Sequence, residues 1–114
     1  MSDCLFCKIA AGDIPATVVA DRDGVLAFRD VSPQAPTHIL VIPKEHVRDV
    51  SSLGEADGDL LARMVNVANS LARDEGITES GYRLVLNVGP DAGQTVFHLH
   101  LHVLGGRAMG WPPG

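Results

Sequence analysis

Three histidines, His98, His100 and His102, alternate with large apolar residues in the segment Val96-Phe97-His98-Leu99-His100-Leu101-His102-Val103-Leu104. Side chains on a β-strand point to opposite faces with period two. The spacing therefore predicts a strand over 96–104 with the imidazoles on one face and Phe97, Leu99, Leu101 and Val103 on the other. Same-face neighbours on a strand lie about 6.5 Å apart, so adjacent rings can reach one ligand without all three converging on one atom. Such a row suits an extended anion, or a metal shared with other residues. The bland alternative is a half-buried strand that happens to be rich in histidine. Against it, histidine is neither a strong strand former nor a common repeated choice at such positions.

Directly before the row stands Gly89-Pro90-Asp91-Ala92-Gly93-Gln94-Thr95. Glycine permits close approach and positive φ, so a loop of this kind can aim successive N–H groups at an anion. Most such loops are only turns. The position before three histidines makes Gly93, Gln94 and Thr95 candidates for holding ligand oxygens. The loop lacks the lysine of a P-loop and leads into a strand rather than a helix, which excludes a nucleoside triphosphatase of that type. At the other end, Cys4 and Cys7 form a C-x-x-C unit without the preceding strand of a thioredoxin-like motif.

The elements that must position these groups follow from the remaining pattern. A short helix is predicted over 4–11, stopped by Gly12. Strands over 17–20 and 25–28 flank Asp21-Arg22-Asp23-Gly24, a hairpin signal. Two prolines make 32–36 a loop, and 38–42 reads as a buried strand ended by Pro43. One long helix is predicted from near Ser52-Leu53-Gly54-Glu55, where Ser and Glu have capping-box spacing, to Gly76. Its core stripe is Leu60, Leu61, Met64, Ala68, Leu71 and Ala72; Glu55, Asp57 and Asp59 favour its positive end and Arg73 the other. A further strand over 82–88 precedes the glycine loop.

The 114 residues are expected to form one domain, 1–114, with a tail from 105 to 114; that length buries about two-thirds of the unfolded surface. A formal charge of −5 argues against nucleic acid or anionic lipid as the main partner. No apolar run approaches the ~20 residues of a membrane span, and Met1-Ser2-Asp3-Cys4 opens with acid where a signal peptide needs basic residues. The expected location is cytoplasmic, with no membrane contact. There, Cys4 and Cys7 read as thiols or metal ligands rather than a disulfide.

The residues also resemble a known family. The pattern at 98–104 looks like the signature of the histidine triad (HIT) superfamily. Phe28-Arg29-Asp30-Val31-Ser32-Pro33-Gln34-Ala35-Pro36-Thr37-His38, Leu40-Val41-Ile42-Pro43-Lys44-Glu45-His46 and the run from Gly93 through Arg107 resemble its histidine triad nucleotide-binding protein branch, as does the ending Trp111-Pro112-Pro113-Gly114. The resemblance implies an α+β, HIT-like fold: an antiparallel sheet of about five strands with one long helix and a short N-terminal helix, assembled as a homodimer. The activity it implies is that of a purine nucleoside phosphoramidase, cleaving the P–N bond of adenosine or guanosine 5′-phosphoramidates and aminoacyl-adenylate-like compounds without a catalytic cofactor. The expected ligand is a purine nucleoside monophosphate or phosphoramidate.

By the same resemblance, His100 is the nucleophile, forming a nucleotidyl-histidine that water hydrolyses. A backbone carbonyl is expected to fix its tautomer, since the attacking nitrogen needs its lone pair. His102 would donate to a non-bridging phosphate oxygen and His38 would orient the row. Asn87, Gly93, Gln94 and Thr95 would surround the phosphate, Thr95 standing where relatives often carry serine. Leu5, Phe6, Ile9, Ile14, Phe28 and Val31 would form the base pocket, and Asp30 would accept from the ribose. Other branches carry a Cys-Cys-His-His zinc, which implies structural Zn²⁺ held by Cys4, Cys7, His46 and His98. In relatives the tail crosses the dimer toward the partner's site; here Gly110 precedes Trp111, where some carry histidine. Two other functions compete: a nucleotide-binding regulatory module with incidental catalysis, and a metal-dependent enzyme using the histidine row as ligands, for which Asp91 is the nearby carboxylate.

Overall fold

A computed structural model describes residues 3–114. Five strands form one antiparallel sheet in the order β1-β2-β3-β5-β4, comprising β1 (Val18–Arg22), β2 (Val25–Arg29), β3 (Thr37–Pro43), β4 (Tyr82–Leu86) and β5 (Leu101–Gly105). The short helix α1 (Leu5–Ala10) packs on one face and the long helix α2 (Gly58–Asp74) on the other.

The first hairpin is tighter than its sequence signal suggested. Asp23 and Gly24 both have positive φ, 57° and 75°, as a two-residue type I′ turn requires, so β1 continues through Arg22. All seven residues of β3 are buried because both faces of this central strand are covered. Ile39 and Val41 join the core under α2, while Leu40 and Ile42 pack with Phe6 of α1 and with Leu26 and Phe28. Pro43 closes the strand within the ladder, opposite Val25.

Helix α2 starts later than the expected capping box. Asp49 Oδ1 accepts from Ser51 N at 3.0 Å and sets a 3₁₀ turn at Val50–Ser52; Asp57 Oδ2 accepts from Gly54 N at 2.8 Å beside a second turn at Glu55–Asp57. Two local aspartate bonds thus replace the Ser52–Glu55 box, since short side chains compete for nearby amides. The buried stripe is Met64, Val67, Ala68, Leu71 and Ala72, with Leu60 and Leu61 only half-buried at its N-terminal end.

The histidine strand is also shorter than its alternation implied: β5 begins at Leu101, and 96–100 lies outside the ladder. The backbone partners explain the difference. Leu99 N donates to Val47 O, the His98 carbonyl accepts from a histidine ring, and the Pro43 carbonyl is likewise taken by a ring. The two-sided alternation persists for all but one position. Leu99, Leu101 and Val103 are in the core under α2, whereas Phe97 is 43% exposed with the Arg48 guanidinium 5.5 Å from its ring centre. Among the described residues, no helix is long and apolar enough to cross a membrane.

Candidate functional site

Backbone partners determine where each histidine carries its proton. His100 Nδ1 lies 2.7 Å from the His98 carbonyl oxygen; a carbonyl only accepts, so Nδ1 holds the hydrogen and Nε2 keeps a lone pair. His38 Nδ1 accepts from Gln34 N at 3.0 Å, which puts the His38 proton on Nε2. That nitrogen is 2.9 Å from His102 Nδ1 and 3.4 Å from Asp30 Oδ2. His102 Nδ1 therefore accepts, and its own proton sits on Nε2. The result is a lone pair at His100 beside an N–H donor at His102, with ring centres 5.0 Å apart.

The electrostatics keep His38 and His102 neutral. Burial pushes the His102 pKa down to about 4, with the neighbouring His100 and His38 adding to the effect and Asp30 opposing it. His38 is lowered mainly by burial, against the pull of Asp30. At neutral pH these rings act through fixed tautomers rather than through charge.

His100 and His102 face a cavity of about 510 Å³. Its apolar wall includes Leu5, Phe6 and Ile9 of α1, with Ile14, Phe28 and, at the rim, Val31; Asp30, Asn87, Gly93 and Thr95 also line it. Phe6 is the hinge of this wall, edge-on to Phe28 at 5.4 Å and to His100 at 5.1 Å. Asp30 Oδ1 accepts from Ser32 N at 2.8 Å, which holds the carboxylate at the cavity edge. Gly93, with φ 89°, closes the short turn Pro90–Ala92 in a conformation that disfavours a Cβ.

Two candidates sit elsewhere. Gln94 is buried behind the loop: its Oε1 accepts from Gly89 N, and its Nε2 donates to the carbonyls of Arg48 and Val96. The side chain fixes the loop from within rather than lining the cavity. His38 stands behind His102 as its bonding partner. Pro15, Ala16, Arg29, Leu40 and Val96 complete the lining without having been singled out as site residues. Leu40 carried one usable signal, since it lies two residues from Ile42 on the same face of β3.

The third histidine of the row belongs to a different cluster. His98 Nε2 donates to the Pro43 carbonyl at 2.8 Å, leaving the Nδ1 lone pair 3.3 Å from Cys4 Sγ and 3.4 Å from Cys7 Sγ. His46 Nδ1 is 3.3 Å from Cys7 Sγ, and all four potential ligand atoms lie within 4.8 Å of one another. Ligands around tetrahedral zinc are separated by about 3.3–3.8 Å, so the set fits such an ion. Asp30, His38 and His102 also converge within 4.8 Å. Asp30, not Asp91, is thus the carboxylate beside the row; Asp91 is exposed in the 90–92 turn. In this second group the His38 and His102 nitrogens are spent on each other, and His98 turns toward the thiols. The row therefore does not offer three ligands to one ion.

The sequence model of the HIT domain matches residues 11–109. A Zea mays protein named "14 kDa zinc-binding protein" is 50% identical over 117 residues, which cover 99% of this chain and 89% of that one. The "Adenylylsulfatase HINT1" of Arabidopsis thaliana is 49% identical over 117 residues, covering 99% and 78% respectively. Among solved structures, a HIT family hydrolase from Legionella pneumophila Philadelphia 1 superposes with a TM-score of 0.96 at 56% identity, covering 98% of this chain and 100% of that one.

Proposed function

The chain belongs to the HIT domain family, and from that membership we propose that it is a purine nucleoside phosphoramidase acting through a nucleotidyl-histidine. The observation that carries this reading is the 2.7 Å contact between His100 Nδ1 and the His98 carbonyl, which leaves the Nε2 lone pair for an α-phosphorus. As the P–Nε2 bond forms, the P–N bond of the substrate breaks; the departing nitrogen keeps the bonding pair, takes a proton from solvent and leaves as the amine. The modified ring is cationic, which strengthens its Nδ1–H bond to the carbonyl. Water then displaces the imidazole, releasing the nucleoside monophosphate and a proton.

His102 donates from Nε2 to a non-bridging oxygen, and His38 holds it in that tautomer. The purine lies against Leu5, Phe6, Ile9, Ile14, Phe28 and Val31, Asp30 accepts from the ribose, and Asn87, Gly93 and Thr95 surround the phosphate. Gln94 contributes by keeping the loop in shape. Support for a hydrolase comes from the names of the Arabidopsis and Legionella relatives.

Cys4, Cys7, His46 and His98 are the proposed zinc ligands, in keeping with the name of the Zea mays relative and the fit of the four donors. Bound zinc would tie α1 to the catalytic segment, a structural role. The working assembly is a homodimer.

The test is hydrolysis of adenosine 5′-phosphoramidate in the presence of chelator by wild type and His100→Gly, with trapping of a nucleotidyl-protein intermediate. Turnover by wild type and a loss of about 10³-fold or more in the variant are expected. AMP binding without turnover by folded wild type would replace the hydrolase with a nucleotide-binding module. Activity abolished by chelator and restored by metal alone would favour a metal enzyme.

A further inference from the structure

Cys4 and Cys7 are the only cysteines of the chain, and the two residues between them, Leu5 and Phe6, wall the cavity beside His100. Cys4 is the N-cap of α1, and its sulfur accepts from Cys7 N at 3.3 Å; both residues are half-buried thiols. Cα atoms three residues apart at a helix start are about 5 Å apart, inside the span of about 4.4–6.8 Å that a disulfide bridges. The two sulfurs already stand within 4.8 Å of each other. A small reagent can reach them from two sides. A surface cavity of about 330 Å³ borders Cys4, and the exposed His46 lies 3.3 Å from Cys7 Sγ.

The same sulfurs tie α1 to the segment that carries the reacting histidine. They lie 3.3 and 3.4 Å from His98 Nδ1, and the His98 carbonyl fixes His100 Nδ1. Phe6 stands edge-on to His98 at 6.0 Å and to His100 at 5.1 Å. Turning the sulfurs toward each other turns them away from His98 and His46. The pivot is the turn that presents Leu5 and Phe6 to the cavity.

We propose that Cys4 and Cys7 are an oxidation site: a small-molecule disulfide joins them, the cluster loses its hold on metal, and nucleotide affinity of the adjoining cavity falls. The inference rests on the zinc and nucleotide readings above. One cysteine thiolate attacks the reagent, forming a mixed disulfide and releasing one thiolate; the second cysteine thiolate attacks the protein sulfur of that bond and releases the other. Two electrons pass from the cysteine sulfurs to the reagent, which leaves as two thiols once protonated. His46 and His98 remain, too few ligands for a structural zinc site. Binding and oxidation are then linked reciprocally: a nucleotide that holds Leu5 and Phe6 in place disfavours the disulfide by the factor by which the disulfide weakens the nucleotide.

The zinc-loaded full-length protein is equilibrated in glutathione redox buffers, with and without saturating AMP. Alkylation and peptide mapping read the bond, metal analysis after gel filtration reads zinc, and calorimetry compares AMP affinity of the oxidised and reduced forms. A Cys4–Cys7 disulfide is expected, with zinc lost in proportion and AMP bound about tenfold more weakly. AMP should shift half-oxidation by the same factor toward more oxidising buffer, and dithiothreitol with zinc should restore affinity. Cys7→Ser, checked for native circular dichroism, should hold one AMP affinity in every buffer. Glutathione adducts or bonds between chains in place of the Cys4–Cys7 bond would overturn the site, as would equal AMP affinities of the two forms. A reduced protein that binds no AMP removes the nucleotide reading and the coupling with it. A reduced protein that takes up no zinc removes the metal reading, and a tenfold AMP ratio between the two forms then upholds the oxidation site by itself.

Discussion

His102 concentrates the physical chemistry of the site in one ring. Its acceptor Nδ1 is occupied by His38, whose own proton is placed by an amide of Gln34, so a backbone group two bonds away decides which nitrogen faces the ligand. Its pKa of about 4 in the folded protein compares with about 6.5 for an exposed histidine. The unfolded chain therefore binds a proton between these values when the folded chain does not. Stability from this difference is complete above pH 6.5 and is lost as pH falls toward 4, with a slope of at most about 1.4 kcal/mol per pH unit per histidine. His38 shifts in the same direction. Urea midpoints measured from pH 8 to pH 4 should be level down to about pH 6.5 and then decline; a level profile to pH 4 would contradict the buried neutral rings.

At the scale of elements, α1 belongs to two sites at once. Cys4 at its N-terminus and Cys7 within it reach His46 and His98, while Leu5, Phe6 and Ile9 of the same helix wall the cavity. A six-residue helix has little stability of its own, so its position depends on such ties. If zinc is the tie, binding energy at the cluster is folding energy. Stripping the metal should lower the melting temperature by at least about 5 °C and raise KM for the nucleotide more than it lowers kcat. Metal analysis together with those two measurements checks this, and identical melting with and without metal would refute it. A second prediction concerns how closely the sheet meets the segment after α2. A Cβ on Gly105 of β5 would stand 2.6 Å from Ile77 Cδ1 and 3.1 Å from Ile77 Cβ, and Ile77 is buried. Gly105→Ala should cost about 1–3 kcal/mol in urea unfolding; a neutral result would mean that Ile77 swings aside freely.

For the whole molecule, the sheet ends at β4, whose outer edge has no strand beside it among the described residues and whose five residues are all half-buried. Near it runs the tail, fixed by Arg83 at Gly110 yet leaving Trp111 84% exposed. An open edge with a bare tryptophan is a surface that a second copy would cover. Sedimentation should accordingly give about twice the 12.1 kDa of one chain, and Trp111→Ala should weaken association. A monomer at micromolar concentration would set the homodimer aside.

The alternation of histidine with leucine and valine in 98–103 was enough to separate a chemical face from a core face, because side-chain direction on an extended chain is local. The Asp23-Gly24 turn, the buried centre of β3 and, apart from Val67, the buried stripe of α2 were legible for the same reason: each is encoded within a few residues. The start of α2 was not, since Asp49 and Asp57 bind the amides of Ser51 and Gly54 and set two short turns ahead of the helix. Nor could spacing alone divide the three histidines, which only the family resemblance assigned to two different clusters. Their spacing is uniform, and only the packing of α1 and the carbonyl of Pro43 turns His98 toward the cysteines, while Gln34 and His38 claim His102. Gln94 stands in the expected loop, but its bonds to Arg48 and Gly89 turn it inward. Residue type and spacing thus determined which groups could do chemistry; partners distant in the chain, brought near only by the folded sheet, decided which nitrogen holds a proton and which ligand each ring can meet.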